Sequence, residues 1–430
     1  MVDPGATDGL SPAVASYVRR DIEERPVVWV HAADDTPLEG TNSWPREAGD
    51  SLERLALLPC VLLPGAQGPA PAHAVILDQM PRGDEIAAVE KRARQALIAS
   101  ILESQIARPA GDDSGLRFSV IIPTYRRLDQ VVEAVRACSE LAYPPEAYEV
   151  IVADNGPDRE PLQQALAPWY AHQSQAEPAL QLVHMPVKSV SMARNAAIAV
   201  ARGQFICSID DDCRPAPDWL AALDEAWQVM PGAGVIGGQL LLEVPDPVPD
   251  VFQPGWEAIW SHLPLGGDQL IRCEDWRSYP WGGNWSTRRN TLMAVGGFPW
   301  RYGSRGCSYA GGEEVALSAA IALTGLPIYL SPTATVVHRP SSVRYNLDHV
   351  RSTMASSAIL EHRLYRDGLI AQETSALGTA GQMLRAAGTM AVAGLIGKRD
   401  MARDRQLRLG ALGNKLLVQL GWRQVYHLVP

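Results

Sequence analysis

Between residues 118 and 210, short apolar runs alternate with segments of helical periodicity, and this alternation constrains the fold more than any other feature of the sequence. FSVIIPTY (118–125), YEVIVADNG (148–156), LQLVHMP (180–186) and QFICSID (204–210) have the length and composition of buried strands. LDQVVEAVRACSELA (128–142) and SVSMARNAAIAVARG (189–203) carry apolar residues at helical spacing. Repeated strand–helix–strand units predict a largely parallel sheet with both faces covered. Ligands of such sheets bind beyond the C-terminal ends of the strands. Asp154 and the run Asp210-Asp211-Asp212 stand at two such ends.

Two further blocks flank this alternation. Residues 1–115 form an N-terminal accessory α/β block, in which PVVWVHA (26–32), LALLPCVLLPG (55–65) and AHAVILDQ (72–79) read as strands and 85–107 as an amphipathic helix. ARPAGDDSG (107–115) reads as a linker. Residues 346–430 form a helical C-terminal region, and 116–345 hold the alternating α/β domain.

Composition excludes several classes. A chain of 430 residues with 47% hydrophobic and 20% charged side chains has ample material for a globular core. Its net charge of −10 argues against a nucleic-acid partner. Six cysteines without metal-type spacing, and an N-terminus without a signal-peptide pattern, point to reduced thiols and a cytoplasmic location. No window approaches the ~20 apolar residues of a membrane span. The nearest, MLRAAGTMAVAGLIG (383–397), carries Arg385 and reads as a core or interfacial helix, which leaves room for peripheral membrane contact.

Several residue groups carry chemistry, each with a structural alternative. Three consecutive aspartates repel one another unless a cation offsets them, and clustered carboxylates suit Mg²⁺ or Mn²⁺ bridging phosphates; a capped turn is the alternative. Asp154 ends an apolar run and can bind a ligand there or form an Asx-turn before Gly156. Arg194 and Asn195 open a helix whose amides suit phosphates, although Arg194 also fits a solvated helix face. Glu313 and Glu314 follow Gly311-Gly312, where two acids equally oppose a helix dipole. His338 ends another apolar run and is either a metal ligand or structural. Six tryptophans lie between 256 and 300, where aromatics fill cores or line ligand sites; Trp281 and Trp285, which flank Gly282-Gly283-Asn284, are the candidates for lining a site.

Taken in order, these segments resemble the family-2 glycosyltransferases over roughly 117–340. SVIIPTYRR (119–127), VIVADNG (150–156), ARNAAIAVARG (193–203), FICSIDDDCRPAPDWL (205–220), GGNWSTRRNTLMAVGGF (282–298) and GGEEVALSAAIALTG (311–325) match the family's motifs in sequence order. The resemblance implies a GT-A type, Rossmann-like mixed and mainly parallel sheet flanked by helices. It implies a nucleotide-diphosphate sugar donor, with a uridine or thymidine base as the family prior, and a Mg²⁺ or Mn²⁺ cofactor. It implies that Pro123, Thr124, Tyr125, Arg126, Asp154, Arg194 and Asn195 line the nucleotide site, joined by Asp210, Asp211, Gly283, Asn284 and Trp285. Asp212, Asp210 and His338 would hold the metal, Asp212 most directly. Glu314 would be the base of an inverting transfer, with Glu313 orienting it or contacting the acceptor. The family's usual second acid is Asp, so Glu314 departs from the pattern by one methylene.

Two other readings stand beside this one: a nucleotidyltransferase, whose Gly-rich basic loop PTYRRLD does not resemble, and a non-catalytic nucleotide- or sugar-binding module. The acceptor stays open among a glycan, a lipid-linked intermediate, a peptide and a small natural product, and homo-oligomerisation is equally open.

Overall fold

The computed structural model describes residues 10–32, 42–46, 55–63, 66, 71–82, 85–103, 115–172, 177–185, 187–253, 255–303, 311–395 and 398–420. The linker expected at 107–115 lies outside them except for Gly115. Helix α1 (Pro12–Glu24) starts with Pro12 in its first turn, and the Ser11 hydroxyl accepts from the Val14 amide. A parallel sheet follows in the order β2-β1-β3-β4, formed by β1 (Val28–Ala32), β2 (Asn42–Arg46), β3 (Cys60–Leu62) and β4 (Val75–Ile76), with α2 (Ile86–Glu103) beside it. Sequence periodicity points to β1, β3, β4 and α2. It misses β2, NSWPR, which has no apolar run, and α1, whose thirteen residues carry five charges, one of them, Asp21, on the buried face.

The larger sheet has the order β11-β13-β10-β12-β8-β5-β6-β7. Its parallel half comprises β5 (Phe118–Thr124), β6 (Tyr148–Asp154), β7 (Ala179–His184) and β8 (Phe205–Ser208). Helices α3 (Leu128–Ser139), α4 (Glu160–His172) and α5 (Val190–Val200) connect these strands. Period-two alternation assigns the strand side chains to two cores. Ile121, Ile151 and Ile206 face α5, whereas Val120, Ile122, Val150 and Val152 face α3 and α6 (Trp219–Val229). The first of these cores runs without a break from Val14 and Leu97 of the N-terminal block to Phe298 and Leu317.

The other half of the sheet is mixed. Strand β12 (Trp285–Arg288) runs antiparallel between β8 and β10 (Val235–Leu242), and β10 pairs in parallel with β13 (Ile328–His338). The short β9 (Cys213–Pro215) and β11 (Ile271–Arg272) pair antiparallel with β13. Helices α7 (Arg289–Ala294) and α8 (Glu313–Ala322) cover this half, and α9 (Leu347–Arg366), α10 (Ala376–Leu395) and α11 (Arg399–Gln419) complete the C-terminal region. No described helix is long and apolar enough to cross a membrane.

The β10–β13 register shifts at Gly238/Gln239, where the β13 backbone comes so close that a Cβ on Gly238 would lie 2.0 Å from the Ala334 carbonyl oxygen. The bulge therefore needs a residue without a side chain. Gly238→Ala is expected to destabilise the protein by roughly 1–3 kcal/mol or more, read as a lower midpoint in chemical denaturation; an unchanged midpoint would mean that the two strands separate at no cost.

Candidate active site

The aspartate run forms the turn between β8 and β9. Asp210 closes it by accepting from the Cys213 amide at 3.0 Å, and the Asp212 carbonyl accepts from the Arg339 amide at 2.8 Å. Because β9 pairs with the end of β13, Cys213 lies opposite His338, and the imidazole is carried to the Asp212 carboxylate. A cleft of about 460 Å³ opens here beyond the ends of β5 and β8. Its other walls come from the residues before β12, the first turn of α8, and α9.

Every aspartate of the run faces at least one arginine, and Arg127 serves two of them. Asp210, 38% exposed, accepts from Arg194 Nη2 at 2.8 Å. Asp211 accepts from the Thr124 hydroxyl and from Arg127 Nη1, both at 2.8 Å. Burial and the adjacent Asp212 charge still push its carboxyl up to about 6. Asp212 faces Arg344 Nη1 at 3.1 Å, Arg127 Nη1 at 3.3 Å and His338 Nε2 at 3.3 Å. Burial alone would raise its pKa, but Arg344, His338 and Arg127 overcome this and hold the carboxyl well below the usual carboxylate range.

The Asp212–His338 contact also tests whether a cation fits. His338 Nδ1 lies 2.6 Å from the Trp260 carbonyl oxygen, which only accepts, so Nδ1 carries the proton. In the neutral ring, Nε2 then presents a lone pair to Asp212 Oδ1, which is buried and has no hydrogen-bond partner. Two facing lone pairs require a proton or a metal ion between them. Cys213 contributes a third potential donor within 4.8 Å. Carboxylate, imidazole and thiol accommodate a divalent cation.

Across the cleft, α8 begins at Gly312, whose φ of 98° lies in the left-handed region and whose Cβ would lie 2.7 Å from Leu360 Cδ1 of α9. This tight entry puts Glu313 and Glu314 in the first turn. Glu313 is buried and accepts from Arg194 Nη1 at 2.7 Å, so one guanidinium, itself 2% exposed, joins the acid pair to Asp210. Burial would lower the Arg194 pKa, but Asp210 and Glu313 raise it above the ordinary value and keep the group charged. Glu314 lines the cleft, and burial together with the Glu313 charge pushes its carboxyl up to about 8, against the opposing pull of Arg194.

The structure sorts the other residues singled out in the sequence. Pro123, Thr124, Tyr125 and Gly283 line the cleft. Arg126, with φ 57°, turns away and lines a smaller cavity of about 110 Å³ with Asp154. Asp154 accepts from the Gly156 amide at 2.8 Å as an Asx-turn does, and burial raises its pKa against the pull of that amide and of His184. Three residues expected at the nucleotide or sugar are packed elsewhere. Asn195 is fully buried and spends its amide on Phe298, accepting from its N–H at 2.7 Å and donating to its carbonyl at 2.9 Å. Asn284 donates to the Gln239 and Ala334 carbonyls at 2.8 and 2.9 Å and accepts from Trp219 Nε1 at 2.9 Å. Trp285 is a core residue whose Nε1 donates to Ser318 at 2.9 Å, and Trp281 alone of the two candidates lines the cleft.

Arg127, Lys188 and Arg344 are the cleft cations that the sequence reading passed over. Arg127 stood in the quoted PTYRR, and only the positive φ of Arg126 tells which arginine turns inward. Arg344 follows β13 and has no local signal.

Residues 119–260 match the family model Glycosyl transferase family 2. The matched segment is about a third of the chain, and over it the chain is similar to this family. Among curated relatives, the succinoglycan biosynthesis protein ExoM of Rhizobium meliloti is 27% identical over 72% of this chain and 97% of its own length. The glucosyl-dolichyl phosphate glucuronosyltransferase of Haloferax volcanii is 27% identical over 37% of this chain and 51% of its own. A solved mannosyltransferase of Pyrobaculum calidifontis, in complex with GDP-Man and Mn²⁺, aligns over 74% of this chain and 92% of its own, at 19% identity and a TM-score of 0.45. The family match and the curated relatives make the chain an enzyme of glycosyl transfer, which displaces the nucleotidyltransferase reading.

The packing of Asn284 yields a prediction that separates fold from site. Asn284→Ala strands an indole N–H and two carbonyls, and is expected to cost about 2–5 kcal/mol of stability. If Asn284 acted instead on the sugar, the variant would keep its melting temperature and lose only turnover.

Proposed function

We propose that the enzyme transfers a sugar from a nucleotide-diphosphate donor in a metal-dependent, inverting reaction, with Glu314 as the base. The observation that carries this reading is one cleft lined by Asp210, Asp211 and His338 on one side and by Glu313 and Glu314 on the other, joined through Arg194, with Asp212 buried against His338. Residues 116–345 would be the transferase unit, with 1–115 and 346–430 as accessory blocks.

The nucleobase would occupy the smaller cavity beside Asp154 and Arg126, which adjoins the cleft through Thr124 and Arg127. Lys188 and Arg127 would take the diphosphate charge. Asp212 and His338 would hold Mg²⁺ or Mn²⁺, with Asp210 beside them; the ion supplies Lewis-acid stabilisation of the departing diphosphate. On the acceptor side, the Glu314 carboxylate takes the proton of an acceptor hydroxyl. The acceptor oxygen forms its bond to the anomeric carbon as the bond to the diphosphate breaks, and the electron pair leaves with the diphosphate oxygen. Glu313, held by Arg194, keeps that first turn in place. The acceptor wall carries Thr353, Ser356 and Ser357 beside Trp281, hydroxyls and an aromatic face that suit a carbohydrate. The relative named for succinoglycan biosynthesis favours the same class of acceptor.

Because the Glu314 pKa is raised, the reactive carboxylate becomes the dominant form only as pH rises through about 8. The expected profile of kcat/KM therefore climbs below that pH and levels above it. Glu314→Gln should abolish the climb and lower kcat by about 10²–10⁴-fold, while nucleotide diphosphate binding, read by thermal shift, stays close to wild type. Equal loss of binding and turnover would sink the assignment of Glu314 as base. For the donor side, Mn²⁺-dependent stabilisation by one nucleoside diphosphate should appear in the wild type and vanish in Asp212→Ala. Absence of any nucleotide response in the wild type would overturn the donor class.

A further inference from the structure

Helix α10 inverts the usual pattern of a surface helix. Its inward side carries the small residues Thr379, Ala386 and Ala393, packed along α11. Its outward side carries the large apolar ones: Leu377 is 86% exposed, Leu384 74%, Val392 57% and Leu395 86%. Their spacings of seven, eight and three place them on one stripe. A water-facing helix ordinarily puts its polar residues there, so a continuous apolar stripe marks a surface that meets something other than water.

Charge identifies that surface. There is no Asp or Glu between Glu373 and Asp400. From 374 to 408 the chain carries six basic residues (Arg385, Lys398, Arg399, Arg403, Arg405 and Arg408) against two acidic ones, Asp400 and Asp404, in a chain whose net charge is −10. Arg405 and Arg408 both pair with Asp404, and six basic against two acidic residues leave the segment an excess of four positive charges. A negative protein with one local basic segment bordering its most exposed apolar stripe is complementary to an anionic, apolar partner. A bilayer with anionic headgroups is that chemistry: acyl chains for the stripe, lipid phosphates for the basic residues.

We infer that the α10 stripe, with the exposed Arg385 and Lys398 beside it, forms a docking face for an anionic phospholipid membrane, on which the enzyme rests without crossing. The face is joined to the cleft through the helices. Lys415 of α11 donates to Glu361 of α9, and α9 supplies Ser356 and Ser357 to the cleft wall. Catalysis on a membrane-borne acceptor is compatible with this arrangement, but the inference does not draw on the roles of Glu314 or Asp212.

The test is co-sedimentation of the full chain with vesicles of phosphatidylcholine containing phosphatidylglycerol, against vesicles of phosphatidylcholine alone. Binding to the anionic vesicles should exceed binding to the neutral ones at least about tenfold and weaken at high salt. The triple variant Leu377→Glu, Leu384→Glu, Leu395→Glu changes only exposed positions and should lose about tenfold or more. Leu384→Glu alone gives a smaller loss in the same direction and serves if the triple variant fails to fold. Equal binding to both vesicle types, or equal binding by wild type and Leu384→Glu, overturns the inference. So does a concentration-dependent dimer that the variants dissociate while vesicle binding is unaffected, since the stripe would then be a subunit contact.

Discussion

The site depends on how three adjacent carboxylates are kept from repelling one another. Asp210, Asp211 and Asp212 occupy one tight turn, and three arginines from three different parts of the chain meet them: Arg194 from α5, Arg127 at the start of α3, and Arg344 after β13. Buried carboxylates left unpaired would cost several kcal/mol each, so the arginines are a condition for the turn to exist. This requirement fixes the surrounding elements at distances of one ion pair. It also concentrates fixed charge around one cleft, where it can act on a charged ligand.

Arg194 has a second consequence. Its two terminal nitrogens serve Asp210 and Glu313, so the aspartate turn and the first turn of α8 share one buried guanidinium. Phe298 packs beneath it, with the guanidinium carbon 4.9 Å from the ring centroid, and Phe298 is in turn held by Asn195. The helix that resembles a phosphate-binding element therefore works as a strut between the two acidic groups. Its neighbour Asn195 belongs to that support rather than to the ligand.

Asn284, Trp285 and Gly238 extend the support to the sheet. The Asn284 side chain ties β10, β13 and α6 together at the point where β13 bulges, and Trp285 anchors β12 against α8. A motif that looks functional in sequence is here mostly structural, because polar side chains that satisfy buried backbone groups have the same composition as polar side chains that bind ligands. Gly283 and Trp281 of the same segment line the cleft. Neighbours in sequence thus point to opposite sides of one strand entry.

Much was legible before the structure. Strand–helix alternation determined the parallel half of the large sheet, since period-two and period-3.6 patterns act locally. Ligands bind at strand ends, so the aspartate run could be placed at the cleft from its position in the pattern, whereas the Glu313–Glu314 turn was legible only through the family resemblance and Asp154 lies at the smaller cavity. The partners of those residues were decided only by tertiary structure. His338 reaches Asp212 because β9 pairs with β13 over 120 residues of intervening chain, Arg344 arrives from beyond β13, and one positive φ at Arg126 decides which arginine faces the aspartates. The same holds for the apolar stripe of α10. The sequence shows an apolar helix, but which of its faces is left to the solvent depends on where α11 packs. Local periodicity is written residue by residue, whereas electrostatic pairing and exposed faces are set by distances that exist only once the chain has closed on itself.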